Sequence, residues 1–237
     1  MISVGRARMA FTDRHGGVSA APFDSRNLGA LTSDDPAAVA ENRAKTAADL
    51  GLAPGRLVFL RQVHSAEVVY VTEPFPGEPP ALDGAVTDRP GLGLAVLGAD
   101  CAPVLVADPD NGVVGAAHAG RKGTVGGVVT ELVAEMVRRG ADPSRATAVI
   151  GPAACGGCYE VPAEMREDAA RVLPETWSTT TWGTPALDLR AGIAAQLARA
   201  GVGDVRHDDR CTIESAELFS HRREQHTGRF AGIVWLV

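Results

Sequence analysis

No apolar run in this 237-residue chain approaches the roughly 18 residues that a membrane-spanning helix needs, so the sequence predicts no membrane association. An excess of positive charge is missing as well. Acidic residues outnumber basic ones 29 to 23, for a net charge of −6 and a pI near 5.5. That balance excludes general electrostatic capture of nucleic acid, and any anion must be bound by a local group of cations. Fixed-period repeats and low-complexity tracts are absent too, while hydrophobic (45%) and charged (22%) contents are ordinary globular values. A mass of 24.6 kDa suffices for one sizeable core, and a single domain over 1–237 is expected. The first fourteen residues, MISVGRARMAFTDR, hold no apolar stretch of signal-peptide length, and the expected compartment is the cytoplasm. Cysteine is scarce. Cys101, Cys155, Cys158 and Cys211 are too few for a disulfide frame in such a chain and read as thiols or metal ligands.

Among what is present, the start and stop signals of helices stand out. Asp35-Pro36 before AAVAENRAKTAADL and Gly51 predicts a capped helix, and Asp188 to Ala200, ended by Gly201, predicts another. Apolar residues Val125, Val128, Val129, Leu132, Val133, Met136 and Val137 recur at helical spacing and predict a single helix from about Gly123 to Arg139. Strands are expected at 58–62, 68–71, 92–97, 103–107, 113–117, 146–150 and 230–237. Proline-rich EPFPGEPPAL and the segment LPETWSTTTWGTP read as loops. Strands that cluster between helices without βαβ alternation favour an α+β domain of mixed sheet layers flanked by helices.

The chemistry concentrates at three apparent strand ends. His64 in RQVHSAEV, Cys101 in GADCAPVLVADP and His118 in VVGAAHAGRKG supply two imidazoles and a thiolate, a set that leaves a fourth position open as catalytic zinc requires. A small core cysteine and two loop or core histidines would satisfy the same spacing. Around His118, Gly115, Gly120 and Gly123 strip side chains from the backbone, Arg121 and Lys122 add charge, and a helix expected to start near Thr124 would present free N–H groups. Phosphate is the natural ligand of such a turn, although no Walker loop is present. Arg206, Arg210, Arg222, Arg223 and Arg229 read mainly as solvated or paired with Asp208, Asp209, Glu214 and Glu224. Cys155-Gly-Gly-Cys158 has no second C-x-x-C and reads as a tight glycine turn whose thiols lack partners and do not bind metal.

Several blocks occur together in a recognisable order: Phe11-Thr-Asp-Arg14, Asn27-Leu-Gly29, Glu41-Asn42-Arg43, Gln62-Val63-His64, Asp83-Gly84, Ala99-Asp100-Cys101, His118-Ala119-Gly120, Ser220-His-Arg222-Arg223 and Thr227-Gly228-Arg229. In these the chain resembles the laccase-domain family along nearly its whole length. Members were named multicopper polyphenol oxidases and are generally described as purine nucleoside phosphorylases with adenosine deaminase activity. The resemblance implies zinc held by His64, Cys101 and His118, which would also be the catalytic residues, and phosphate or substrate contacts from Arg43, Arg121, Lys122 and Arg229. It implies a fold similar to a toxin-deamidase-like cysteine hydrolase. One departure is visible, for the family's H-A-G-W-R-G is here His118-Ala-Gly-Arg121-Lys122-Gly123, and lysine keeps the charge but loses the bidentate fork. Another is His221, which replaces a tyrosine before the paired arginines.

The implied reaction is phosphorolysis of adenosine, inosine or methylthioadenosine, with deamination of adenosine as a second activity; the partners are a purine nucleoside and inorganic phosphate, and the chain is expected as monomer or homodimer. A cysteine hydrolase or amidase acting on a peptidoglycan precursor, with Cys101 as nucleophile and His118 as base, is the alternative. A copper-dependent polyphenol oxidase is disfavoured, because six histidines with no His-x-His pair do not supply a multicopper centre.

Overall fold

In the computed structural model, which describes residues 1–237, the chain opens with strands β1 (Ile2–Val4) and β2 (Ala7–Phe11), then helix α1 (Pro36–Asp49). Strands β3 (Leu57–Phe59), β4 (Val68–Tyr70), β5 (Gly84–Thr87), β6 (Gly93–Gly98), β7 (Ala102–Asp108) and β8 (Val113–Ala119) lead into helices α2 (Arg121–Gly126) and α3 (Val128–Arg138). There follow β9 (Thr147–Ile150), α4 (Ala163–Val172), the hairpin of β10 (Trp177–Thr179) and β11 (Pro185–Leu187), α5 (Leu189–Arg199), β12 (Asp204–His207), the single turn α6 (His221–Glu224) and β13 (Phe230–Leu236). No helix is long and apolar enough to cross a membrane.

Two mixed sheets carry the architecture. One has the order β1-β2-β13-β6-β3 and the other β12-β9-β7-β8-β5-β4. Leu105, Ala107, Val114 and Val149 of the six-stranded sheet meet Met9, Leu94, Val96 and Val234 of the five-stranded sheet in one buried layer. The opposite face of the six-stranded sheet is covered by α3 and α5 through Val129, Leu132, Met136, Ile193 and Leu197. On the far side, Ala47 of α1 joins Phe59, Ala95, Ile233 and Trp235. The result is four layers, helix–sheet–sheet–helix, in which β7, β8 and β13 are buried along their full length and are apolar for that reason, save Asp108 at the end of β7 and His118 near the end of β8.

Local signals placed two helices correctly. Asp35 accepts from the Ala37 N–H at the start of α1, and Asp188 accepts from Ala191 N–H at the start of α5. Elsewhere the sequence misled. The single helix expected from Gly123 to Arg139 is two helices, because Gly127 adopts φ +88° between α2 and α3, a left-handed conformation that ends a helix. Val137, expected on the apolar face, is 47% exposed. LPETWSTTTWGTP is not all loop but contains β10 and pairs with β11. Strands β1 and β2 lacked a signal because Arg6 and Arg8 interrupt their apolar pattern, and the short edge strand β12 was hidden by Arg206 and His207. Helix α4 buries only Ala169 and so shows little apolar periodicity.

Candidate active site

Two of the three candidate donors lie where the chain passes from one sheet to the other. His64 sits between β3 and β4, and Cys101 ends the short crossing from β6 to β7, while His118 lies near the end of β8 opposite Pro103. Both crossings hold residues in a region that L side chains rarely adopt, with φ +64° at His64 and +92° at Asp100. Such conformations persist only where the surroundings impose them.

Two carboxylates do so, one buried and one half-buried. Asp83, fully buried, accepts from the backbone N–H groups of Val63 (3.1 Å), His64 (3.0 Å) and Ser65 (2.7 Å) and from the Ser65 hydroxyl at 2.9 Å. The same carboxylate accepts from His118 Nδ1 at 2.8 Å. Asp100 accepts from the Thr212 hydroxyl at 2.7 Å and the Arg222 N–H at 2.6 Å, and its carbonyl accepts from Ala154 N–H at 3.0 Å. One carboxylate thus shapes the His64 loop and orients the His118 ring, and the other fixes the residue before Cys101.

The donor atoms of His64, Cys101 and His118 lie within 4.8 Å of one another, with Cys101 Sγ 3.7 Å from His64 Nε2. Tetrahedral zinc with Zn–S near 2.3 Å and Zn–N near 2.0 Å sets that spacing at about 3.6 Å. Because Asp83 holds His118 through Nδ1, Nε2 is the nitrogen left to coordinate, the carboxylate–histidine arrangement that metal sites use. A Cβ at Gly120 would stand 2.7 Å from the His64 ring and 2.8 Å from Cys101 Sγ. Only glycine keeps the space beside the donors open, and the residues present fit a metal ion. Their charges are coupled. Burial opposes ionisation of Cys101, but the charge of His118 and hydrogen bonds from both imidazoles outweigh it and bring the thiol down to about 6. Burial likewise disfavours charge on His118, yet Cys101 and Asp83 raise it to about 9. Asp83 falls to about 2, the hydrogen bonds from His118 and Ser65 overcoming burial.

The triad forms part of the lining of a cleft of about 640 Å³. Phe59, Leu60, Leu97 and Pro79 give it apolar walls, and Arg43, His221 and Arg229 join the lining. Arg43 donates Nε–H to Leu28 carbonyl at 2.9 Å and stacks on Phe59 at 3.8 Å; Arg229 donates to the carbonyls of Thr227 and Gly228, both at 2.8 Å. Both guanidiniums are held by backbone and aromatic groups rather than by carboxylates. Burial lowers the Arg43 pKa to about 10 and is the main cause of a downward shift at Arg229. An anion in this cleft would give both guanidiniums the direct ion-pair partner that no carboxylate of the protein supplies.

A profile of the family described as multi-copper polyphenol oxidoreductase laccase matches residues 8–237. The chain belongs to that family. It is 57% identical over 234 residues to the purine nucleoside phosphorylase ORF3 of Streptomyces griseus, covering 98% of this chain and 95% of the relative. A second relative, named purine nucleoside phosphorylase, from Streptomyces coelicolor is 54% identical over 235 residues, or 99% and 97% of the two chains. Among solved structures, the YfiH protein of Bacillus licheniformis superposes with a TM-score of 0.90 at 35% identity, covering 98% of this chain and 93% of that one.

Of the site residues expected for this laccase-family chain, the structure brings His64, Cys101, His118, Arg43 and Arg229 to one cleft. Arg121 and Lys122 do not line it. Arg121 opens α2 and lies by Tyr159, whose pKa is raised by burial and by Cys101 and held back by Arg121 and Arg222; Lys122 is exposed. The helix start expected near Thr124 is at Arg121, and the Thr124 N–H is already bonded to the Gly120 carbonyl at 2.8 Å. That amide is not free to take an anion. The C-terminal arginines also differ from expectation: Arg210 pairs with Asp208 and Arg223 with Glu224, but Arg206 pairs with Asp204, and Arg222 donates to the Glu160 carbonyl and stacks on Tyr159. Asp83 and Asp100 occur in the recognised blocks, but nothing in their local sequence shows that they organise the site.

Proposed function

We propose that the chain is a zinc-containing purine nucleoside phosphorylase, acting on adenosine, inosine and methylthioadenosine, with deamination of adenosine as a second activity. One observation carries the reading: a His2Cys donor set and two guanidiniums without carboxylate partners line the same apolar-walled cleft. The names of the Streptomyces relatives support it. They do not favour the amidase alternative.

In phosphorolysis a phosphate oxygen bonds to C1′ as the C1′–N9 bond breaks, and the base leaves with the electron pair and takes up a proton. Arg43 and Arg229 bind the phosphate and hold it against the ribose, which turns an encounter of two solutes into an oriented reaction. Phe59, Leu60 and Leu97 bury the apolar surfaces of the nucleoside and exclude water. His221 donates Nδ1–H to the Gln225 carbonyl at 2.8 Å, so its Nε2 is the nitrogen that meets the substrate. His64 Nε2, Cys101 Sγ and His118 Nε2 would hold the zinc, which would supply Lewis acidity beside these groups when bound. Copper is disfavoured as in the sequence reading, since a multicopper centre needs more imidazoles than this donor set offers.

The test is incubation with inosine, with and without phosphate, alongside metal analysis. Ribose 1-phosphate and hypoxanthine at a rate set by phosphate are expected, with Arg229→Ala raising KM for phosphate and Lys122→Ala having a smaller effect. Free ribose formed at a rate indifferent to phosphate would overturn the phosphorylase reading, and a Cys101→Ser protein that keeps this site's zinc would overturn the ligand set.

A further inference from the structure

The turn Cys155-Gly-Gly-Cys158 is not isolated. It follows β9, while Cys211 opens a turn after β12, and these strands are parallel neighbours. Their loops stay in register: Ala153 and Cys211 form a bridge, Thr212 N–H donates to Ala153 carbonyl at 3.2 Å, and buried Arg190 ties Ala153 and Arg210 carbonyls at 2.7 and 3.2 Å. All four cysteines are free, and three of them meet here. The sulfurs of Cys155, Cys158 and Cys211 and a carboxylate oxygen of Glu214 lie within 4.8 Å of one another. Thiolates sharing a tetrahedral zinc stand about 3.8 Å apart, given Zn–S near 2.3 Å.

The geometry points to a second metal site, a structural zinc held by Cys155, Cys158, Cys211 and Glu214. Both N–H groups of Cys158 and Tyr159 turn back onto the Cys155 carbonyl, at 3.0 and 2.9 Å, which brings the two thiols of C-x-x-C to one side. Cys155 N–H donates to Cys211 Sγ at 3.4 Å, which ties the two loops together at the sulfur. Cys158 and Cys211 are buried, Cys155 is half-buried and Glu214 is exposed, so two soft donors lie inside, with the third thiol and the oxygen donor toward the rim. Four protein ligands close the coordination sphere, as structural sites require and catalytic ones do not. Binding releases three thiol protons to solvent and involves no oxidation. The same two loops grip Asp100, through Ala154 N–H on its carbonyl and the Thr212 hydroxyl on its carboxylate. The second zinc therefore fastens the support of Cys101 without touching the cleft.

Metal analysis of the full chain, purified in reductant, is expected to find two zinc ions per chain, with one retained in Cys101→Ser and lost from Cys101→Ser/Cys155→Ser. Should the double variant fail to fold, cobalt-loaded Cys101→Ser provides a second measurement: a sulfur-to-cobalt charge-transfer band is expected there, although the cleft thiol has gone. A Cys101→Ser protein without metal or cobalt band would overturn the proposal, as would a Cys155–Cys158 disulfide in protein purified without reductant. If the wild type holds one zinc that Cys155→Ser removes and Cys101→Ser keeps, the cleft assignment fails and this one stands.

Discussion

At Asp83, one carboxylate satisfies three successive backbone N–H groups and an imidazole at once. Replacing it with asparagine keeps the shape but turns one acceptor into a donor, so at least one of those four partners is left unpaired. Asp83→Asn is expected to weaken metal binding about 10- to 100-fold, the usual cost of losing a group that orients a ligand. Competition with a chromogenic chelator measures it, and an unchanged affinity would refute the role given to Asp83. This residue also shows the limit of sequence reading at the smallest scale. His64, Cys101 and His118 were legible because imidazole and thiol are scarce and chemically distinctive. Asp83 is one of 29 acidic residues, and its importance exists only once the chain brings residues 63–65 and 118 around it. Arg43 and Arg229 were named through resemblance; the structure supplies the reason, since they meet across 186 residues of sequence only in the cleft.

The helices and strands divide along the same line. Those with local caps, α1 and α5, were read correctly from sequence because Asp35 and Asp188 sit next to the amides they serve. The break between α2 and α3 escaped because Val125 to Val137 keeps a helical spacing across it, and the αL conformation of Gly127 is a backbone choice that hydrophobic periodicity does not encode. Alanine at Gly127 would meet no atom closer than 3.9 Å, so space is not the obstacle, but its φ of +88° is unfavourable for any L side chain. Gly127→Ala is expected to lower stability by about 1–2 kcal/mol, read as a shift of the denaturation midpoint. An unchanged or raised midpoint would show that α2 and α3 can join into one helix without cost.

For the molecule as a whole, the acid limit of stability should depend on carboxylates buried between elements. Asp108 is fully buried at the end of β7 and accepts from Asn111 Nδ2 at 2.8 Å and from the Asp142 N–H at 2.7 Å. Burial alone would raise its pKa, but these bonds, with those from the Asn111 and Asp110 amides, lower it. A depressed folded-state pKa gives a contribution that is complete above the unfolded value near 4 and disappears as pH falls through the folded one. Asp108→Asn is expected to cost about 1–3 kcal/mol at neutral pH and to flatten the loss of stability below pH 4. Equal acid limbs for both proteins, followed by chemical denaturation across pH, would argue against it.

His64 and Cys101 stand on two of the four passages between the sheets, and His118 belongs to the six-stranded sheet alone. Donor spacing is therefore tied to the gap between the sheets, and a slackening of that gap anywhere along the buried layer is felt as a wider bite at the metal. Leu105→Ala, in the layer between the sheets, and Leu132→Ala, between α3 and the six-stranded sheet, should each destabilise by about 2–5 kcal/mol. Only the first is expected to weaken metal retention markedly, as chelator titration of both variants would show. Across a set of such variants, metal affinity would serve as a strain gauge mounted on the seam, reporting shifts in packing too small to disturb the fold.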